Sequence, residues 1–250
     1  MRNRVLICLI VTLALLASCV AVLAACGGPC SAKNDATSTR PAHAKAKVLC
    51  LIGGPFHNWD GLAAYAQKML DDTKLFDTNV TENRDELVAP NIDKYDLVII
   101  YTTGFDITPE QEKGLVAFVE NGKGLVGIHS ATDSFKNSDA YWKLVCGRFT
   151  GHGHKDFHVN ITGKSHPVVK GMSGFDINDE TYVHKFSPES KPIFLTRRDD
   201  DGEPSAWVQY YGKGRVFVTG LGHDKEAWDA PGFQQLVIRG MLWADKQLNP

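Results

Sequence analysis

Between Lys47 and Pro250 the chain alternates short apolar runs with segments whose apolar residues recur every three or four positions. Val48-Leu49-Cys50-Leu51-Ile52 is apolar throughout and stops at Gly53-Gly54, which suits a strand covered on both faces. Leu62, Tyr65, Ala66, Met69 and Leu70 then share one face of a helix predicted over 60–72. A second buried strand is predicted at 97–101, closed by Thr102-Thr103-Gly104. Thr108-Pro109-Glu110-Gln111 supplies an N-cap, a proline at the first helical position and a glutamine three after the cap, ahead of Leu115, Val116, Phe118 and Val119 and a stop at Gly122. Further strands are predicted at 125–128, 157–161, 193–196, 206–210 and 216–219, and a last helix turns Phe233, Leu236, Val237, Gly240, Met241 and Ala244 inward.

Apolar strands separated by amphipathic helices imply an α/β fold, a three-layer open mostly parallel sheet with antiparallel strands added between Phe157 and Tyr210. The chain shows neither an internal repeat nor a second linker after Lys47, so 47–250 reads as one domain.

The N-terminus has a different pattern. Arg2 and Arg4 precede Val5 to Ala25, which contains no charged residue, as in an export signal. Leu23-Ala24-Ala25-Cys26-Gly27 resembles a bacterial lipoprotein signal, so 1–25 is expected to be removed and Cys26 lipidated. Leu16-Ala17-Ser18-Cys19 is a second match, but cutting there would leave the apolar 20–25 at the mature terminus. An uncleaved transmembrane anchor is the rival, since the run is long enough to span a bilayer. Residues 26–46 contain no apolar side chain larger than proline's outside Ala, and read as a flexible tether. The protein is therefore expected in the bacterial cell envelope, held to the membrane by a lipid.

Lys+Arg of 27 against Asp+Glu of 29 gives a net charge of −2, and loss of the two leader arginines leaves 25 against 29, or −4. A chain this mildly acidic is not expected to bind nucleic acid through a basic face. Cys8, Cys19, Cys26 and Cys30 lie in or just after the leader, and the remaining Cys50 and Cys146 are too few for a disulfide scaffold or a four-thiolate metal site. Cys50, inside a predicted strand, and Cys146 read as inert packing.

In an open α/β sheet, ligands sit outside the carboxyl ends of the strands. His57 follows the first strand, His129 ends the 125–128 strand, and His223 follows the 216–219 strand, so three strand ends deliver an imidazole to one edge. Gly151-His152-Gly153-His154 adds two histidines on flexible backbone, and Asp179 or Glu180 could complete a metal site or act as general base. Asp199-Asp200-Asp201-Gly202 reads as an acidic turn, lacking the alternating ligands of a calcium loop. Gly127-Ile128-His129-Ser130-Ala131 has the strand-to-helix shape of a nucleophile elbow, with His129 at the elbow and Ser130 one place late.

In order along the chain, His57-Asn58-Trp59, Gly127 to Asp133, Gly147 to His152, His166-Pro167, Asp179-Glu180-Thr181-Tyr182, Ala206-Trp207, Gly212 to Val216 and Gly222-His223-Asp224 resemble the ThuA-like, or trehalose-utilisation, proteins. The resemblance covers 47–250 and implies a flavodoxin-like fold of the class I glutamine amidotransferase type. Those relatives carry a cysteine at the elbow and a histidine with an acid on a late strand. Here His129 replaces the cysteine, and His223 with Asp224 stands at the late position, so the shape is expected without thiol chemistry. The family's associations imply catabolism of sugars, particularly disaccharides oxidised to keto-sugars.

These observations lead to an exported sugar enzyme, acting as a metal-assisted hydrolase, lyase or isomerase. His129, His152 and His223 are expected to hold a divalent metal, zinc among the candidates. Glu180, Asp224 and Asp133 are the expected catalytic acids and bases. His57, Trp59 and Tyr182 are expected to contact the sugar, with the indole over a ring face and Trp207 in the core. The alternative is a non-catalytic carbohydrate-binding lipoprotein keeping the old cleft, and a hydrolase working through Ser130 is a third, weaker possibility.

Overall fold

The computed structural model describes residues 44–249, so the expected leader, the lipidated Cys26 and nearly all of the tether lie outside the described residues. Strand β1 (Ala46–Gly53) is followed by helix α1 (Trp59–Thr73), β2 (Phe76–Thr81), β3 (Leu97–Thr102), α2 (Pro109–Glu120) and β4 (Gly124–Ile128). Next come α3 (Asp139–Val145), β5 (Gly147–Gly151), β6 (His154–Ile161), β7 (Phe175–Glu180) and β8 (Val183–Phe186). The chain closes with β9 (Ile193–Arg198), β10 (Pro204–Tyr211), β11 (Gly214–Thr219), α4 (Lys225–Asp229) and α5 (Pro231–Ala244). β1 begins at Ala46, the last position assigned to the tether.

The main sheet runs β2-β1-β3-β4-β11-β10-β9-β6-β7, and β5 pairs β8 in a separate two-stranded sheet. β2, β1, β3, β4 and β11 are mutually parallel, and every further pairing is antiparallel. The expected α/β class, with its parallel core and added antiparallel strands, is what the chain adopts.

The period of two along each buried strand explains the layers. Val48, Cys50 and Ile52 of β1 join Leu97, Ile99 and Tyr101 of β3 and Phe217 of β11 on one face, under Leu62, Ala66 and Leu70 of α1 and Phe233, Leu236 and Val237 of α5. Leu49 and Leu51, with Val98, Ile100, Val216 and Val218, pack on the opposite face under Leu115, Phe118 and Val119 of α2 and Leu144 and Val145 of α3. Cys50 and Cys146 are free and buried in these cores, and burial pushes both thiols up to about 12, so neither is a nucleophile. Trp207 is fully buried, as expected.

Thr108 forms the capping box the sequence spells. Its hydroxyl accepts from Gln111 N and the Gln111 side chain accepts from Thr108 N, with Pro109 opening α2. Among the described residues no helix is long and apolar enough to cross a membrane.

Candidate functional site

The parallel strands β1, β4 and β11 all end at one edge, and their following loops carry His57, His129 and His223. Antiparallel pairing from β11 through β10, β9 and β6 reverses direction four times, so β7 again points its carboxyl end, Glu180, to that edge. β7 also packs on α4 and α5, which brings this distant strand back over the end of the core.

Gly54 lets the β1 loop lie against β3. It has φ of 120°, and a Cβ there would sit 2.1 Å from the Thr103 carbonyl oxygen. The indole of Trp59 donates back to the Gly54 carbonyl. His57 is thereby fixed, with Nδ1 3.2 Å from the Thr103 hydroxyl and Nε2 buried without a hydrogen-bond partner. Burial first, then the neighbouring His129 and His223, push this imidazole down to about 4, so it is neutral at physiological pH.

His129 opens a short 3₁₀ turn directly after β4 with φ of 48°, the left-handed backbone of a strand-to-helix elbow. It is fully buried, and its Nδ1 lies 2.9 Å from the Gly220 carbonyl oxygen. A carbonyl only accepts, so Nδ1 carries a proton, and Nε2 is the ring nitrogen turned toward His223 and Glu180. Tyr182 stacks on the ring at 4.1 Å between centroids, and its burial pushes the phenol pKa far up, so the hydroxyl stays protonated. Ser130, the next residue of this turn, is fully buried.

The His223 loop is held by the acid before Glu180. Asp179, fully buried, accepts from Gly222 N at 2.7 Å, His223 N at 3.1 Å and Glu180 N at 2.8 Å. Tyr101 donates to the Gly222 carbonyl at 2.5 Å and accepts from the Trp228 indole at 3.1 Å. Of the two acids left open by the sequence, Asp179 is committed to backbone and Glu180 faces the histidines.

His129 Nε2 and His223 Nδ1 are 3.3 Å apart, and Glu180 Oε2 is 3.3 Å from each. His57, His129 and His223 each offer one ligand atom, all within 4.8 Å of one another, so this cluster could bind a metal. A tetrahedral ion with metal–nitrogen bonds of ~2.05 Å holds its ligands ~3.3 Å apart, the separation already present between His129 and His223. Burial would lift the Glu180 carboxyl, but its hydrogen bonds to His129 and His223 outweigh this and hold it well below the usual range. The same contact raises His223, whose largest cause is the hydrogen bond to Glu180.

The expected residues are thus partly regrouped. His57, expected to touch sugar, takes the place of His152 in the convergent triplet. His152 is about half exposed and meets the other Glu180 oxygen at 3.3 Å, one contact further out. Asp224 caps α4, its Oδ1 accepting from Glu226 N and Ala227 N. Asp133 pairs with Lys136. Trp59 is buried, its indole against His57 at 4.7 Å and Tyr101 at 5.3 Å, so it supports the site from below instead of covering a sugar. Thr103 and the Gly220 carbonyl escaped the sequence argument because a strand-end threonine and a backbone oxygen carry no distinctive signal.

Residues 47–244 match the family described as ThuA, trehalose utilisation. Among solved structures, the chain is similar to a ThuA-like protein from Parabacteroides merdae, with a TM-score of 0.74 at 23% identity over 82% of this chain and 91% of that one. A ThuA-like protein from Bacteroides uniformis follows, with a TM-score of 0.68 at 18% identity over 82% and 94%. A β-galactosidase from Rahnella sp. R3 shares the fold in one part, with a TM-score of 0.55 at 16% identity over 82% of this chain and 32% of the enzyme. No curated protein matches the chain.

Proposed function

The chain belongs to the ThuA trehalose-utilisation family, and from that membership, the leader-like N-terminus and the histidine cluster we propose an exported, lipid-anchored enzyme of sugar catabolism that works with a divalent metal on His57, His129 and His223. The observation that carries this reading is the ring nitrogen Nε2 of His57. It is buried without a partner beside two further imidazoles, an arrangement that costs stability unless a ligand takes it up.

The donor set fits such an ion. Thr103 and Gly220 engage the Nδ1 atoms of His57 and His129, the outer contacts that orient metal-binding imidazoles. Three imidazole nitrogens with a carboxylate alongside are ligand types that catalytic zinc sites use. A bound divalent ion supplies Lewis-acid polarisation of a keto-sugar carbonyl. Glu180 would either help to hold the ion or take the proton from the carbon next to the carbonyl and return it to the neighbouring carbon in an isomerisation, with His152 against its outer oxygen. Tyr182, protonated and stacked on His129, is placed to donate to a sugar oxygen.

A non-catalytic sugar-binding lipoprotein is the second reading, favoured by the elbow itself, where an imidazole stands and Ser130 is buried. Elemental mass spectrometry on the purified protein and on His129→Ala and His223→Ala, with turnover of a keto-disaccharide measured beside it, separates the two. Near-stoichiometric metal, lost in both variants together with turnover, is expected. Absence of metal after refilling with zinc, manganese, iron and nickel would sink the metal mechanism and leave the binding module.

A further inference from the structure

Beside the histidines lies a cavity of about 350 Å³ lined by Phe56, Leu62 and Tyr65, with Asn58, Lys225 and the imidazoles of His57 and His223 among its polar members. It opens between the β1–α1 loop and the start of α4, and shares His57 and His223 with the metal-compatible cluster. A molecule whose reacting end sits at the cluster therefore has room to extend one way, along Phe56.

Phe56 is 85% exposed, the most exposed large apolar side chain among the described residues. Its backbone has φ of 79°, a left-handed conformation unfavourable for a bulky residue. Neither feature helps folding. The ring buries little, and asparagine or glycine would fit the backbone better. Both features make sense if the ring is a platform for a ligand. The sides of the cavity agree, since an aromatic and aliphatic wall with polar groups at the rim suits a ring with an apolar face and a hydrogen-bonding edge. Lys225 is already paired with Asp229 and lies over the Tyr65 ring, His223 is paired with Glu180, and the Asp224 carboxylate lines the same cavity, so its charges do not select an anion.

We infer that this cavity is a second-ring subsite: the substrate is a neutral glycoside whose reacting sugar lies at the histidine cluster and whose second ring lies on Phe56. The inference rests on the carbohydrate reading above and adds the leaving side of the substrate. A second pyranose and an aryl aglycone share this chemistry, and the test distinguishes them.

Affinities of the full chain for glucose, trehalose and phenyl β-D-glucopyranoside are measured by saturation-transfer NMR, for the protein itself, Phe56→Ala and Phe56→Tyr, with thermal melts to confirm that the variants fold. A two-ring probe is expected to bind about three- to tenfold more tightly than glucose, the range of one aromatic stacking contact. Phe56→Ala should remove that advantage, bringing the two-ring probes down to the affinity of glucose, and Phe56→Tyr should keep it. Trehalose showing the larger gain identifies a sugar as the second ring, and the phenyl glucoside an aglycone. Glucose binding with no gain from either second ring, or an equal gain in Phe56→Ala, overturns the subsite while the carbohydrate reading stands. If no probe binds, both fall.

Discussion

Glu180 shows how much one side chain decides here. Its Oε2 lies 3.3 Å from His129 and 3.3 Å from His223, while its Oε1 reaches His152. Its carboxylate is the leading cause of the raised His223 pKa. In the metal-free protein, Glu180→Gln removes the anion that stabilises imidazolium, so the His223 midpoint is expected to move down toward its ordinary value. Following the His223 Cε1 proton by NMR titration checks this, and an unmoved midpoint would mean that the contact is not made in solution. With metal added, the same variant should bind the ion roughly 10- to 100-fold more weakly, the usual effect of losing a group next to the ligands. Asp179, its neighbour, fails to substitute because its oxygens already accept three backbone N–H groups.

Among the elements, α2 is the one whose local chemistry is complete in the sequence. Thr108→Ala removes the hydroxyl that accepts from Gln111 N and should cost about 1 kcal/mol in urea unfolding, with the site's metal content unchanged. A loss near zero would show that packing of Leu115, Phe118 and Val119 alone holds the helix. β1, β3, β4 and β11 were equally readable, because strands covered on both faces cannot hide their apolar runs. β2 and β7 were not. In β2 only Phe76 is buried, as befits an edge strand. In β7 an inward position is Asp179, a polar residue whose partners come from a loop more than forty positions away. That hidden strand brings Glu180 to the site. The strand-end rule found all three histidines of the cluster, yet the spacing between His57 and the others depends on the order β1-β3-β4-β11, which periodicity does not encode. His152 reads as one of them in the sequence because its glycine-flanked loop offers freedom without saying where it goes. Asp224 stands directly before a helix and behaves as the cap its position implies.

At the scale of the whole molecule, burial of neutral histidines ties stability to pH. His166 sits in the turns after β6, edge-on to Trp243 of α5 at 5.0 Å between ring centroids, where its Nδ1 accepts from Val168 N at 3.3 Å. Arg239 holds the same segment through the Val168 and Pro167 carbonyls, so it is fastened to α5 at two places. Burial first, and the nearby Arg215 charge second, push His166 down to about 4 from an ordinary 6.5. The unfolded chain then takes up a proton near pH 6.5 while the folded chain resists until about pH 4, so stability present above pH 6.5 is lost as pH falls through that window. The full shift would correspond to roughly 3 kcal/mol, and solvent screening of this half-buried ring reduces it to about 1–2 kcal/mol. His57 and His184 are lowered as well and add to the slope, whereas the raised His223 opposes it. His166→Gln keeps a polar side chain but cannot titrate, and it is remote from the metal-compatible cluster. Urea unfolding at pH 7 and pH 4.5 should show a smaller acid loss in this variant than in the parent, by about 1–2 kcal/mol. Equal losses in the two proteins would place the acid sensitivity in the histidine cluster instead, and would mean that the turns after β6 open before the sheet does.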